Sequence, residues 1–337
     1  MAKVSLKEVA NRLGVSVSTV SKAMRDSYEI GEETKRKVLE TAEEMGYRAS
    51  PYASYLRQQK SRTIAIIVPE LTNNFFIQAI SGAETTVLAQ DYHALYYVTH
   101  EDFQLEERIL KHLHDGRVDG VIMSLAATTR SYDHISELIR CNIPVVFFDR
   151  ICHEIETAKI TTDDFASSFN ATEHLIQNGC RDIAYLSLSE NLSIDNKRKQ
   201  GYLEALHKYD IPVNEARIVK CNGDEKVNYR KVKQLLNSSN PPEGIFASVE
   251  KLALVTYQVC HDLDIQIPDS VKVICFSNLP TAPLLCPPLT TISQPAFEMG
   301  KQAATILLKH LDKKRVSIPN ENITIKSVLV ERGSTRK

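Results

Sequence analysis

Residues 16–22 carry side chains whose types and spacing suit the recognition of nucleic acid. Short hydroxyl groups bond phosphate oxygens, a valine can pack on a thymine methyl, and a lysine can reach the acceptors of guanine. We therefore predict that Val17 and Ser18 read base edges and that Lys22, about one turn later, reaches a guanine. The hydroxyl side chains expected to contact phosphates are Ser16, Thr19 and Ser21.

A second set of polar and aromatic residues follows apolar runs further along the chain. Parallel-sheet proteins bind ligands beyond the carboxyl ends of their strands, so residues in these positions are candidates for a ligand site. An aromatic side chain there can stack on a ring or on the face of a sugar. The candidates are Asn73, Phe75, Ser124 and Asp149.

Three short helices in the first 46 residues would position the first set. Residues 5–8 have the spacing of a capping box, so a helix is expected from there to Leu13, with the turn at Gly14. Ser16 is expected to cap a second helix, whose N-terminus would enter a major groove, and a third helix is predicted over 32–45. The pattern favours a helix-turn-helix. A generic three-helix bundle, with serines that only cap and stay solvated, is the alternative.

From Thr63 onward, strand-like apolar runs alternate with amphipathic helical stretches. This alternation is typical of βαβ units and parallel sheets, and so many units fit two sheets better than one. We predict a bilobed α/β domain that holds a ligand in the cleft between its lobes. A final strand is expected over 323–331. The other predicted strands are 64–68, 95–98, 118–123, 145–148, 183–188, 218–219, 245–247 and 271–276.

Composition places the chain among ordinary globular proteins. Its 337 residues suffice for a small and a large domain, with 43% hydrophobic and 25% charged residues. No run approaches the roughly 20 apolar residues that cross a bilayer, and the N-terminus lacks the apolar stretch of a secretory signal. The seven cysteines lack the spacing of a zinc or redox motif. We expect a cytoplasmic protein with buried thiols, no metal and no membrane association.

The net charge of −1 is unevenly distributed: residues 1–60 hold 11 Lys and Arg against 8 Asp and Glu, and the rest carries −4. The small excess lies where the DNA-reading residues are predicted. The sequence has no glycine motif that cradles phosphates, such as GxGxxG. No spacing indicates a Ser-His-Asp set, a histidine cluster or paired carboxylates. We therefore expect neither an enzyme nor a bound cofactor.

Three stretches in order along the chain resemble the lactose/galactose repressor (LacI/GalR) family of bacterial regulators. They are VSLKEVANRLGVSVSTVSKAM at 4–24, Gly46-Tyr47 after Thr34 and Val38, and PPLTTISQPAFEMG at 287–300. The resemblance implies an all-α helix-turn-helix head (1–46), a hinge (47–62) and a periplasmic-binding-protein-like (type I) domain with parallel sheets (63–337). The expected first lobe comprises 63–161 and 293–321, and the second lobe comprises 162–292 and 322–337.

The resemblance also implies a repressor that binds double-stranded DNA as a homodimer on a pseudo-palindromic operator. Residues 50–57 would then be a hinge helix that folds on the operator, with Ala53 and Leu56 in the minor groove. A leucine wedge offsets the unstacking it causes with a bent duplex and more contacts. Packing of Leu56 on the large domain is the alternative. Two departures are Lys22, where many relatives have arginine, and Ala49, where proline is usual.

By the same resemblance, Arg198 clamps the ligand and Asp149 binds its hydroxyls, with a surface salt bridge and a helix cap as the respective alternatives. Glu250 and Ser277 stand where relatives have aspartates, and we expect both to contact the effector. A sugar or sugar derivative is the expected effector. A phosphorylated or acidic ligand, held by Arg150 and Arg198, is the competitor.

We hypothesise that the effector shifts the lobes, changes the stability of the paired hinge helices and so alters DNA affinity. Both signs of response occur in the family, so release and tightening both remain open. The rival interpretation is a small-molecule (sugar) binding protein without a DNA-regulatory role. Such a protein would carry a signal peptide and no DNA-reading head, which is the reverse of this sequence.

Overall fold

The computed structural model describes residues 4–24, 26–47, 61–114, 116–221, 224–312 and 318–336. The chain forms two compact units, Met1–Ser61 and Arg62–Lys337. The hinge helix predicted over 50–57, with Ala53 and Leu56, lies outside the described residues. Among the described helices, none is long and apolar enough to cross a bilayer.

The first unit contains three helices around a small apolar core, as the sequence predicted. A capping box starts α1, because the Ser5 hydroxyl accepts from the backbone N–H of Glu8 and the Glu8 carboxylate accepts from that of Ser5. Gly14 follows α1 with a φ of 65°, a left-handed conformation that costs glycine little. The helices are α1 (Leu6–Leu13), α2 (Val17–Ala23) and α3 (Glu32–Glu44). The core residues are Val9, Ala10, Val20, Ala23, Val38 and Ala42.

The first lobe of the second unit is a parallel sheet of six strands between two layers of helices. Its elements are β1 (Thr63–Val68), α4 (Asn74–Leu88), β2 (His93–Val98), α5 (Phe103–Leu113), β3 (Gly120–Met123), α6 (Asp133–Arg140), β4 (Val145–Phe148), β5 (Lys159–Thr162), α11 (Ala296–Asp312) and β11 (Asn322–Ile325). The strand order is β11-β5-β4-β3-β1-β2. Ile64 and Ile66 of β1 pack with α4 and α11, whereas Ala65 and Ile67 pack with α5 and α6, as the alternation of a strand requires.

The second lobe repeats this architecture. Its elements are α7 (Asp164–Gln177), β6 (Ile183–Ser187), α8 (Ser193–Lys208), β7 (Ile218–Lys220), α9 (Glu225–Leu236), β8 (Gly244–Ala247), α10 (Glu250–Asp262), β9 (Lys272–Phe276), β10 (Thr290–Ser293) and β12 (Val328–Val330). The strand order is β12-β10-β9-β8-β6-β7, and only the pairing of β12 with β10 is antiparallel. The chain thus crosses between the lobes three times: after β5, after β10 and after β11.

The last crossing corrects two expectations from the sequence. The single strand predicted over 323–331 is wrong, because β11 pairs with β5 in the first sheet and β12 pairs with β10 in the second. Residues 322–325, which were assigned to the second lobe, therefore belong to the first. The crossing is fastened by Asp163, whose carboxylate accepts from the backbone N–H of Ser327 at 2.7 Å and from the Ser167 hydroxyl at 3.0 Å.

Helices α4 and α11 approach each other closely because each has a glycine at the contact. A Cβ atom on Gly82 would lie 1.9 Å from the carbonyl oxygen of Phe297, and one on Gly300 would lie 1.9 Å from that of Ala79. No side chain fits at such a distance. Gly300, which ends the carboxy-terminal sequence motif, is therefore required for the packing of the first lobe.

Candidate functional site

The N-terminus of α2 presents the residues predicted to read DNA. The Ser16 hydroxyl accepts from the backbone N–H of Thr19 at 3.0 Å and caps the helix. The same oxygen lies 2.6 Å from the Ser18 hydroxyl and 2.8 Å from that of Thr19, so the three hydroxyls form one hydrogen-bonded cluster. Val17 is 38% exposed beside them. This end of α2 offers an apolar contact and several hydroxyls at one exposed place.

Lys22 and Ser21 lie further along α2 and are partly buried. The ammonium group of Lys22 forms an ion pair with Glu29, and both side chains are nearly half exposed. Exposed ion pairs of this kind contribute about 0–1 kcal/mol. Lys22 can therefore leave Glu29 for a phosphate or a base acceptor of DNA at a small cost in free energy.

A cleft between the two lobes of the second unit collects most of the other predicted residues. The space in it open to a water-sized molecule is about 20 Å³, which is room for about one water. The lobes are therefore closed, and a ligand the size of a sugar needs them to separate. The lining residues are Asn73, Phe75, Phe76, Asp149, Arg150, Ile194, Arg198, Val249, Phe276, Ser277, Asn278 and Gln294.

Arg198 is buried at the second-lobe side of this cleft. Its Nε donates to Asp164 Oδ1 at 2.8 Å, and its Nη1 donates to the carbonyl oxygen of Ser248 at 2.7 Å. The guanidinium carbon lies 3.8 Å from the ring centre of Phe276, within the range of a cation–π contact. Nη2 has no hydrogen-bond partner among the described residues. Arg198 is thus held rigidly while one N–H group stays available, and it is no surface salt bridge.

Arg150 plays the same part on the first-lobe side. Its Nη1 donates to both carboxylate oxygens of Glu101, at 2.9 and 2.8 Å. Its guanidinium lies 5.4 Å from the ring centre of Phe76. Within the described chain Nε makes no hydrogen bond, and Asp149 Oδ2 is 3.9 Å away. Both arginines of the cleft are therefore already paired with carboxylates.

Asp149 is a buried carboxylate rather than a helix cap. It follows β4 with a φ of 60°, and its backbone N–H donates to the carbonyl oxygen of Ile160 at 2.9 Å. Burial raises the pKa of Asp149 to about 6, although the charges of Arg198 and Arg150 oppose the rise. Burial also raises the pKa of Asp164, against the same opposing charge of Arg198. At neutral pH Asp149 is thus an ionised acceptor.

Glu250 and Ser277 contact each other and help to join the lobes. The Ser277 hydroxyl donates to Glu250 Oε2 at 2.7 Å, and Nδ2 of Asn74 in the first lobe donates to Oε1 at 3.2 Å. A second bond between the lobes links Asn278 Nδ2 to Gln78 Oε1 at 2.9 Å. These two residues, predicted to contact the effector, therefore lie where the lobes meet.

Ser124 is the predicted residue that the structure places away from the cleft. It is fully buried, and its hydroxyl accepts from the backbone N–H of Arg150 at 3.4 Å. It follows a strand end, as predicted, but it is not among the residues that line the cleft. It supports Arg150 instead of lining the cleft.

Sequence reasoning missed the carboxylates that pair with the arginines, Asp164 and Glu101, and the polar residues Asn278 and Gln294. Asn278 is next to the predicted Ser277, and Gln294 directly follows β10. Proximity to a strand end could have identified both. Across the described ranges, no group of three or more His, Cys, Asp or Glu side chains has a geometry that could hold a metal ion.

Comparison with known proteins shows which families this chain resembles. Residues 5–50 match the family model "Bacterial regulatory proteins, lacI family", and residues 172–335 match "Periplasmic binding protein-like domain". The HTH-type transcriptional regulator RegA of Clostridium saccharobutylicum is 30% identical over 98% of this chain and 99% of its own length. The chain belongs to the LacI family. It is a DNA-binding transcriptional regulator with a helix-turn-helix head and a type I periplasmic-binding-like domain.

Two solved structures place this LacI-family regulator in its fold. A lac repressor dimer bound to operator and the anti-inducer ONPF superimposes with a TM-score of 0.83 at 20% identity, covering 100% of both chains. A LacI family transcriptional regulator from Enterococcus faecium, with bound ribose, has a TM-score of 0.70 at 26% identity. It covers 81% of this chain and 98% of its own. The similarity to the first structure extends over the full length of the regulator.

Proposed function

We propose that this regulator represses transcription as a homodimer on a pseudo-palindromic operator, under the control of an unphosphorylated sugar bound between the lobes. The observation that carries the sugar assignment is the pairing of both cleft arginines, which leaves Nη2 of Arg198 and Nε of Arg150 as donors without a described partner, together with the Asp149 carboxylate. A sugar hydroxyl both donates and accepts, so adjacent hydroxyls match this mixture of donors and an acceptor. The ribose bound to the Enterococcus faecium relative supports the same class.

A phosphorylated effector fits this cleft less well. Its charge of about −1.5 to −2 would lie near three carboxylates, Asp149, Asp164 and Glu101, which already outnumber the two arginines of the cleft. Recognition of phosphate by arginine uses two parallel N–H donors. In Arg198, Nε is held by Asp164 and Nη1 by the carbonyl oxygen of Ser248, and Nη1 of Arg150 is held by Glu101. An unphosphorylated sugar is therefore preferred over a phosphorylated one.

We assign operator binding to the first unit, which would contact DNA through the exposed N-terminal end of α2. Val17 and Ser18 read bases, whereas Ser16, Thr19 and Ser21 contact phosphates. Lys22 leaves Glu29 for a guanine or a phosphate, because its exposed ion pair is weak. This role requires the reducing, DNA-containing compartment of the cell, so we assign the protein to the cytoplasm and assign it no catalytic activity.

We assign the dimer interface to the outer face of the first lobe, which exposes several large apolar side chains. Ile77 and Leu88 lie three turns apart on one stripe of α4 and are 49% and 54% exposed. Tyr96 of β2 adjoins this stripe, because its hydroxyl bonds Glu84 of α4 at 2.5 Å. Large apolar side chains exposed on one face are typical of association surfaces. The double substitution Ile77→Glu/Leu88→Glu should give monomers in analytical ultracentrifugation, whereas Val213→Glu, at an exposed second-lobe valine, should leave dimers.

The proposed function is tested by selecting bound sequences from random duplex DNA and titrating the selected operator with sugars. We expect a palindrome and at least one unphosphorylated sugar that changes the operator Kd by about 5-fold to 150-fold, the usual range of allosteric coupling. Arg198→Met should remove this response, and Arg181→Met, at an exposed arginine of the same lobe, should retain it. A response to sugar phosphates alone would reject the unphosphorylated ligand, and the absence of an enriched palindrome would reject binding to a pseudo-palindromic operator.

A further inference from the structure

A second and much larger pocket opens beside the closed cleft. It offers about 440 Å³ to water-sized molecules, against about 20 Å³ in the cleft. Residues of both lobes line it: Glu70, Thr72 and Asn73 from the first, and Glu225, Asn228, Glu250, Lys251, Leu254, Val255 and Gln258 from the second. Asn73 lines both spaces, so the pocket continues the cleft outward.

The charged residues that line this pocket are mainly acidic. Among the described residues that line it, three are carboxylates, Glu70, Glu225 and Glu250, and one is cationic, Lys251. Glu250 is 5% exposed and already accepts two hydrogen bonds. Glu225 is exposed, at the start of α9, and forms no ion pair with any described residue. The pocket thus has an excess of negative charge that faces a space large enough for a ligand.

Asn228 supplies an independent sign of a missing partner. Its side chain is 1% exposed and lines the pocket, and its Oδ1 atom has no hydrogen-bond donor among the described residues. A buried carbonyl oxygen without a donor costs folding free energy, so such atoms are rare in folded proteins. A ligand N–H that reaches Oδ1 would remove this cost.

We propose that this pocket is an outer subsite that holds the ammonium group of an amino sugar whose ring occupies the cleft. An ammonium group has three donors and no acceptor, which matches the carboxylates and the Asn228 oxygen. Its charge gains attraction from the acidic lining, whereas a hydroxyl at the same position gains only hydrogen bonds. The inference rests on the proposed sugar-binding function and narrows its ligand class.

The test compares sugars that differ only in an amine. Calorimetric titration of the full-length protein at pH 7 uses glucosamine against glucose, galactosamine against galactose, and mannosamine against mannose. At least one amino sugar should bind about 10-fold more tightly than its hydroxyl counterpart, as expected for a charge-assisted contact. Equal affinity within every pair overturns the proposal.

Variants then locate the effect. Glu225→Gln removes an exposed charge and should lower the affinity for the amino sugar about 3-fold or more without changing that for its counterpart. Glu204→Gln, at an exposed position of α8, should change neither. Asn228→Leu should also weaken binding of the amino sugar. Because Asn228 is buried, the Asn228→Leu variant could fail to fold, and the result with Glu225→Gln then decides whether the subsite exists. An amine preference that survives Glu225→Gln overturns the subsite. Binding of neutral sugars alone overturns this proposal only, whereas no saturable binding by any sugar overturns the proposed function as well.

Discussion

Asn74 in the first lobe donates a hydrogen bond to Glu250 in the second, with 3.2 Å between Nδ2 and Oε1. Together with the 2.9 Å bond between Asn278 and Gln78, it joins the lobes at the edge of a cleft too small for a sugar. Ligand entry therefore requires both bonds to break. The two bonds set part of the free energy of cleft opening, and the ligand must compensate for it.

Asn74→Ala combined with Gln78→Ala should make opening easier. Each hydrogen bond contributes roughly 1 kcal/mol, so the pair of substitutions should speed hydrogen exchange of the amides around 74–78 and 277–279 by about 30-fold. Gln90→Ala, at an exposed residue after α4, serves as the control. Identical exchange in the double variant and the control would show that these bonds do not hold the lobes together.

Arg198→Met should destabilise the protein by about 3–5 kcal/mol, because it leaves the buried Asp164 carboxylate without its counter-charge. Urea denaturation measures the change. Lys208→Met, on the same helix as Arg198, breaks a surface ion pair with Glu173 of α7 and should cost at most about 1 kcal/mol.

The loss in Arg198→Met should also depend on pH. Without Arg198 the folded-state pKa of Asp164 rises further above its unfolded value, so the folded state binds more protons and its stability falls as pH rises. The variant should therefore lose less at pH 5 than at pH 8. A loss independent of pH would mean that packing of the side chain on Phe276, not charge, is what Arg198 supplies.

The sequence predicted the elements whose local signals are complete. The capping box at Ser5 and Glu8, the turn at Gly14 and the cap at Ser16 are all local in sequence, and the structure contains each of them. Most parallel strands were found because they are buried on both faces and so are continuous apolar runs.

Two strands and one change of sheet lacked such signals. Strands β5 and β10 were missed because each contains a single large apolar residue, Ile160 and Ile292 respectively. The split of 323–331 into β11 and β12 was missed because the pattern of apolar residues does not show which sheet a strand joins.

The candidate site was predictable only in part, for a related reason. Positions at strand ends are local and indicated Asn73, Asp149 and Ser277, which line the cleft. The partners of the arginines are not local: Asp164 lies 34 residues from Arg198, and Glu101 lies 49 residues from Arg150. These pairs depend on strand order and on the three crossings between the lobes, which no short motif encodes.

Asp149→Asn should stabilise the protein at neutral pH while it weakens sugar binding. The folded-state pKa of about 6 exceeds the ordinary value, so ionised Asp149 costs stability above pH 6 and the cost disappears as pH falls through 6 toward 4. The gain in unfolding free energy should reach about 3 kcal/mol at pH 8 and be small near pH 4. In the unmodified protein, sugar affinity should rise as pH increases through about 6. A gain that stays constant with pH contradicts the buried carboxylate.

Gly300→Ala should destabilise the first lobe by roughly 3 kcal/mol or more, because its Cβ would lie 1.9 Å from the backbone oxygen of Ala79 and the helices would have to separate. Thermal unfolding measures the loss. Ser81→Ala, at an exposed position of α4, adds helix propensity without a clash and should be nearly neutral. If both variants unfold at the same temperature, the approach of α4 and α11 is looser than described.

Ser16→Ala and Val17→Ala should separate the stability of the reading helix from its specificity. Loss of the Ser16 cap should cost the head about 1 kcal/mol and weaken binding to all operators alike. Val17→Ala should barely change stability, because the side chain is exposed, but should relax the base preference at one position of each half-site by about 1 kcal/mol or more. Selection from random duplexes reads out the preference. Ser5→Ala, which breaks the capping box of α1, controls for destabilisation of the head. If Ser5→Ala changes the base preference, or if Val17→Ala leaves it unchanged, the residues that read bases do not lie at the start of α2.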